Sequence, residues 1–155
     1  MRICLLGRST PVHPGSGGFE KYLFDLARGL SNLGHDVHIV TKRLPSNRKN
    51  EEVSELDGFH IHWVGPCDSF FWYSFPFFFE MGKTVARLHR ERPFDIIHSN
   101  NLAAFALFLV RPTDPWPPLV CTAHGTSVSE FITQPKTIFQ KIKRSPRLVS
   151  VIPLE

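Results

Sequence analysis

The sequence predicts an α/β fold, a parallel β-sheet sandwiched between helices. Three observations point there. Short apolar runs recur along the chain, as in strands buried on both faces. Helix-patterned stretches separate most of them, which implies right-handed βαβ units. The first, fourth and fifth of the runs lead into glycines or polar residues, at the strand ends where parallel sheets bind ligands.

Each element follows in order. Residues 2–7, RICLLG, read as the first strand, and loop residues follow through Gly18. From Phe19 the apolar positions Tyr22, Leu23, Leu26, Ala27, Leu30 and Leu33 fit one helix face, with Phe24 off that stripe. Gly34 stands where a C-terminal cap belongs. DVHIVT (36–41) is the second strand, and RLPSNRKNEEVSELDG (43–58) reads as an exposed loop. FHIHWVG (59–65) alternates as a third strand. The aromatic run FFWYSFPFFF (70–79) leads into a helix ending near Arg92. FDIIHSN (94–100) is a fourth strand, LAAFALFLV (102–110) a short buried helix, and PPLVCTAHGT (117–126) a fifth strand. A helical stretch interrupted at Pro135 precedes a sixth strand, RLVSVIP (147–153).

The chain's 155 residues suffice for one domain with a real core. A net charge of +4 and a pI near 9.2 suit anionic ligands or an anionic surface without requiring either. Three cysteines, Cys4, Cys67 and Cys121, lack metal-type spacing and read as buried, reduced thiols of a cytoplasmic protein. The apolar run after Arg2 is broken by Gly7 and Arg8, too short for a signal peptide. No stretch approaches the roughly 18 apolar residues of a membrane span.

Gly15, Gly17 and Gly18 sit between the first strand and first helix. Glycines there permit a sharp turn or a close ligand. The helix start adds unpaired donors and partial positive charge, which favour phosphate. A dinucleotide fingerprint fails, because Glu20 stands at its third glycine and Thr41-Lys42-Arg43 end the second strand where a ribose-binding acid belongs. A P-loop fails too: the triplet Gly82-Lys83-Thr84 has Phe77 at the leading glycine position.

The order of RICLLGR, PGSGGFEK, LARGLSNLGHDVHIVT, PFDIIHSNN and VCTAHGT resembles the N-terminal, Rossmann-like half of a GT-B-fold glycosyltransferase of family 4. The resemblance covers nearly the whole chain. It implies a retaining enzyme that takes a nucleotide sugar and passes the sugar to a glycan or lipid acceptor. It places Gly17 and Gly18 against the donor diphosphate, and His124, with Gly125 and Thr126, near the reacting sugar. His98, Ser99 and Asn100 match a cleft turn that meets the acceptor. Glu20 orders the loop or touches acceptor. No metal or other cofactor is expected. The resemblance also implies a second Rossmann-like domain carrying most of the nucleotide site. This chain ends before one, as a fragment or as one partner of two chains, and is expected to be inactive alone.

Two rival readings belong to other classes: a non-catalytic α/β binding or membrane-associated module, and a Rossmann oxidoreductase disfavoured by Glu20. His60 and His62 share a strand face without a third ligand at useful spacing, and read as a polar sheet face. The aromatic run reads as core packing, with an acceptor channel or interfacial insert as alternatives. KTIFQKIKRSPR (136–147) forms a basic amphipathic pattern that suits a solvated face or an anionic membrane surface. Nucleic acid is not expected as a partner.

Overall fold

The computed structural model describes residues 1–13, 17–43, 53–65, 74–110 and 115–124. The chain divides into two compact units, Met1–Thr122 and Ala123–Glu155. The elements below all belong to the first.

Six strands form one sheet: β1 (Arg2–Leu6), β2 (Asp36–Lys42), β3 (Val53–Leu56), β4 (Phe59–Val64), β5 (Ile96–Asn100) and β6 (Leu119–Thr122). Their order is β3-β4-β2-β1-β5-β6, with every pair parallel except β3 with β4. The sheet is therefore mostly parallel, as the apolar runs predict.

Alternation along the strands divides the core in two. On one face Ile3, Leu5, Val37, Ile39, Phe59, Ile61 and Trp63 pack against α1 (Gly18–Asn32) through Leu23, Phe24 and Ala27. On the other, Cys4, Leu6, Val40, Val64 and Ile97 pack against α2 (Ser74–Glu91). There Phe77, Phe78, Met81, Val85 and Leu88 supply the helix side. Each such side chain contributes about 1.5–3 kcal/mol on burial. Helices on both faces of a parallel sheet make the sandwich expected.

Several details correct the reading from sequence. Residues 53–56 are a strand, not loop: Asp57 and Gly58 both adopt positive φ, 49° and 80°, and close a two-residue hairpin onto β4. That is the backbone a DG dipeptide favours. On α1 the buried stripe is centred differently. Phe24, placed off it, is buried edge-on against Phe59, whereas Leu33 is 74% exposed. The α1 C-terminus does end as expected, with Gly34 at φ 81°.

The helix α2 begins inside the aromatic run, with Pro76 tolerated in its first turn. The helical period splits that run: Phe77 and Phe78 are buried, Phe75 and Phe79 exposed. Gly82 lies mid-helix, so Gly82-Lys83-Thr84 is no phosphate loop. An added Cβ at Gly82 would stand 2.3 Å from the carbonyl oxygen of Ala106. Glycine there brings α2 against α3 (Phe105–Phe108), which follows a 3-10 turn at Asn101–Ala104. Cys4 is buried as expected, but Cys121 lies exposed on β6. Cys67, residues 70–73 of the aromatic run, the basic segment 136–147 and the sixth strand at 147–153 lie outside the described residues.

Candidate functional site

A parallel sheet collects the carboxyl ends of β1, β2, β4, β5 and β6 at one edge. Two groups of expected site residues stand there. The first is the start of α1. Gly17 is its N-cap in extended backbone, with φ −130°. The Glu20 carboxylate reaches back over it: Gly17 N–H donates to Oε2 at 2.8 Å, and the Ser9 hydroxyl donates to Oε1 at 2.6 Å. Glu20 is only 5% exposed, so its charge is spent inside the loop. An acid at this position also favours the positive end of the helix dipole.

Gly17 and Gly18 have another character. Neither has a positive φ. An added Cβ at Gly18 would meet nothing within 4 Å, and one at Gly17 only Glu20 Oε2 at 3.6 Å. Gly7 contrasts with them, since a Cβ there would lie 2.3 Å from Leu23 Cδ2. Packing thus explains Gly7, while neither backbone nor packing demands glycine at 17 or 18. What those two leave is open space beside the first N–H groups of a 15-residue helix.

The second group is at the end of β5. His98 and Asn100 alternate with Ile97, so they share the α1 face. The half-buried His98 places Nε2 2.7 Å from the Thr122 hydroxyl, across the β5–β6 ladder. Asn100 is buried at the strand terminus and caps the 3-10 turn. Asn101 follows at φ 51°, a left-handed conformation that asparagine tolerates. The buried Ser99 faces the other way, its hydroxyl donating to the Asn101 carbonyl at 3.3 Å. β1 lies between the two groups, with Leu6 in register with Ser99.

His124 lies two residues beyond β6, exposed, in the second compact unit. Gly125 and Thr126 are outside the described residues.

His13 belongs to this edge and was not anticipated. The Thr10 N–H donates to its Nδ1 at 3.0 Å, so Nε2 carries the proton and donates to the Lys42 carbonyl at 3.0 Å. The ring is buried, and burial lowers its pKa. Neutral His13 thereby pins the loop after β1 to the end of β2. The sequence around it, PVHPG, carries no signal for this.

A separate cluster lies under α2. His38, His60 and His62 share the α2 face, with rings 4.9 Å and 5.2 Å from His38 in stacked pairs. His38 and His62 are buried, so this is not the polar sheet face expected from the sequence. Strand pairing also brings Asp36 and His38 beside His60, with ligand atoms all within 4.8 Å. The third ligand missing along β4 is thus supplied by β2. A cation already stands there: Arg2 Nε is 3.3 Å from Asp36 Oδ2 and 3.3 Å from His38 Nε2. Burial, then the Arg2 charge, push His38 down to about 4. Burial, then the His38 charge, push His62 down to about 3. Both are neutral near pH 7.

No curated protein matches the chain in sequence. Among solved structures it is similar to the sucrose-phosphate synthase of Thermosynechococcus elongatus. The identity is 17%, the TM-score 0.69, and the match covers 92% of this chain and 38% of that one. A second structure of that synthase matches at 17% identity and a TM-score of 0.58, covering 85% of this chain and 68% of that one. The chain thus spans little more than a third of the first structure's length, and at this identity the likeness shows the fold. Among the described residues no helix is long and apolar enough to cross a membrane. The family model described as Glycosyltransferase Family 4 matches residues 16–151, from the glycine loop through nearly all that follows, and the chain belongs to that family.

Proposed function

We propose that this chain is the acceptor-side domain of a retaining glycosyltransferase that moves a sugar from a nucleotide sugar to a glycan or lipid acceptor. A second α/β domain, on the same or a partner chain, holds the nucleotide. The observation that carries the reading is the pair Gly17-Gly18: two glycines that neither backbone nor packing requires, beside a helix N-terminus, with the nearby carboxylate folded away. Open space and backbone N–H groups together suit the approach of a diphosphate.

The chemistry follows from that placement. Glycosyl transfer leaves negative charge on a nucleoside diphosphate and positive charge on the sugar. Fixed N–H dipoles at the start of α1 stabilise the first without reorganising. His124 orients the sugar, while His98 and Asn100 face acceptor hydroxyls at the end of β5. In this reading Glu20 works indirectly, by setting the loop.

The test uses the polypeptide that carries this chain together with its donor-binding domain. Release of nucleoside diphosphate is followed across a panel of nucleotide sugars. Gly18→Leu should fold with a stability change within about 0.5 kcal/mol yet raise KM for the donor about tenfold or more. His124→Ala should lower kcat about 100-fold or more. Full turnover in both variants, or no turnover of any donor by the intact enzyme, overturns the reading.

A further inference from the structure

On the α2 face, away from the glycine loop, the flank of α2 overhangs β4 and encloses a cavity of about 260 Å³. Its polar lining is Arg43 after β2, His62 of β4, and Glu80, Lys83, Thr84 and Arg87 of α2. Three permanent cations face one carboxylate. The two helical cations are about half exposed and held only by neighbours on their own helix, Lys83 with Glu80 at 3.3 Å and Arg87 with Glu91 at 2.9 Å. Pairs of that kind are worth little and are readily exchanged for a stronger anion.

His62 gives the cavity its second character. It is 5% exposed, and among the described residues its Nδ1 is buried without a hydrogen-bond partner. An orphaned buried nitrogen costs about 1–3 kcal/mol. Its role is assigned from the chain of partners behind it. The Asp36 carboxylate accepts from His38 Nε2–H at 2.9 Å, which leaves His38 Nδ1 to accept from His62 Nε2–H at 2.9 Å. Nδ1 of His62 is then a lone pair that wants a hydroxyl proton. The charges His62 feels, from His38, Arg87, His60 and Arg2, all disfavour its own protonation.

A matching ligand offers anionic oxygens to the cations and an O–H to the imidazole. A phosphate monoester does both, since its second proton leaves near pH 6 and a substantial monoanion fraction persists toward neutrality. Sulfate offers the charge without the proton. We propose that this cavity binds a phosphate monoester, with Arg43, Lys83 and Arg87 on its oxygens and its P–OH donating to His62 Nδ1. The site uses none of the residues proposed to meet the nucleotide sugar.

The experiment is a titration of the ¹⁵N-labelled chain with inorganic phosphate at pH 6.5 and constant ionic strength, with sulfate as control. Saturable shifts are expected at Gly65, Thr84 and Arg87, with phosphate bound about tenfold or more tighter than sulfate, a difference of about 1.4 kcal/mol. The exposed double variant K83Q/R87Q should keep the native spectrum and lose about tenfold or more of that affinity. His62→Phe, if it folds, should erase the preference over sulfate. Equal binding of the two anions, or an unchanged affinity in K83Q/R87Q, overturns the proposal. Two further probes separate the sources of the phosphate. Glycerol 3-phosphate competing with inorganic phosphate identifies a soluble ester. Cosedimentation with phosphatidylcholine vesicles containing phosphatidic acid, lost in K83Q/R87Q, identifies a lipid headgroup. Failure of both probes overturns it as well.

Discussion

At Glu20 one side chain decides how the loop after β1 is set. Its two oxygens accept from Gly17 N–H and from Ser9, and it is almost fully buried. Glu20→Ala orphans both donors and should cost about 1–3 kcal/mol, read as a lower urea midpoint at unchanged slope. Glu20→Gln keeps an acceptor for Gly17 and should recover part of the loss. This role was half legible in the sequence, where an acid three residues after a loop glycine at a helix start is a recognisable capping spacing. The Ser9 contact was not, because the turn that returns Ser9 to Glu20 is a property of three dimensions. His13 is the extreme case: its partners, Thr10 and the Lys42 carbonyl, are joined only once β1 and β2 pair.

Among the elements, those with strong periodicity were legible and those governed by a neighbour were not. The apolar runs of β1, β2, β4 and β5 announce themselves because both sheet faces are covered. β3 was missed, although Asp57-Gly58 carries a hairpin signal, since VSEL is short and only its pairing with β4 makes it a strand. On α1 the stripe was displaced by about one residue, because Phe59 pulls Phe24 into the core. The contact of α2 with α3 rests on Gly82. Gly82→Ala gains about 1 kcal/mol of helix propensity but drives a methyl onto the Ala106 carbonyl, which is backbone and cannot step aside. The variant should be destabilised by about 1–3 kcal/mol in thermal or urea unfolding. Stability at or above that of the parent would show that α3 yields freely.

For the whole molecule, the mostly parallel sheet, its two helical faces and the binding edge were readable. What they enclose under α2 was not, since two histidines two residues apart on β4 give no hint that β2 stacks a third between them and α2. That stack has a consequence for stability. In the fold His38 and His62 titrate near 4 and 3, while in the unfolded chain they titrate near the ordinary 6.5. Below about 6.5 the unfolded chain takes up protons that the folded one refuses. The contribution is therefore complete above that pH and declines as pH falls toward 4. Urea unfolding at pH 7.5, 6 and 5 should show a falling midpoint, and replacing His62 with leucine should flatten the trend. A midpoint independent of pH across this window would contradict the neutral stack.

The central strand β1 lies between β2 and β5, and the Arg2 N–H donates to the Asp95 carboxylate across 93 positions of sequence, at 2.6 Å. During synthesis β1 leaves the ribosome first, and one of its two neighbours must wait until β5 has emerged. Closing so long a loop is slow compared with local hairpin formation. The nascent RICLL segment therefore spends most of translation with one hydrogen-bonding edge open, an adhesive strip exposed to other chains. Chaperone dependence of expression yield should accordingly track the interval before β5 emerges, so that the earliest residues synthesised become a late source of vulnerability.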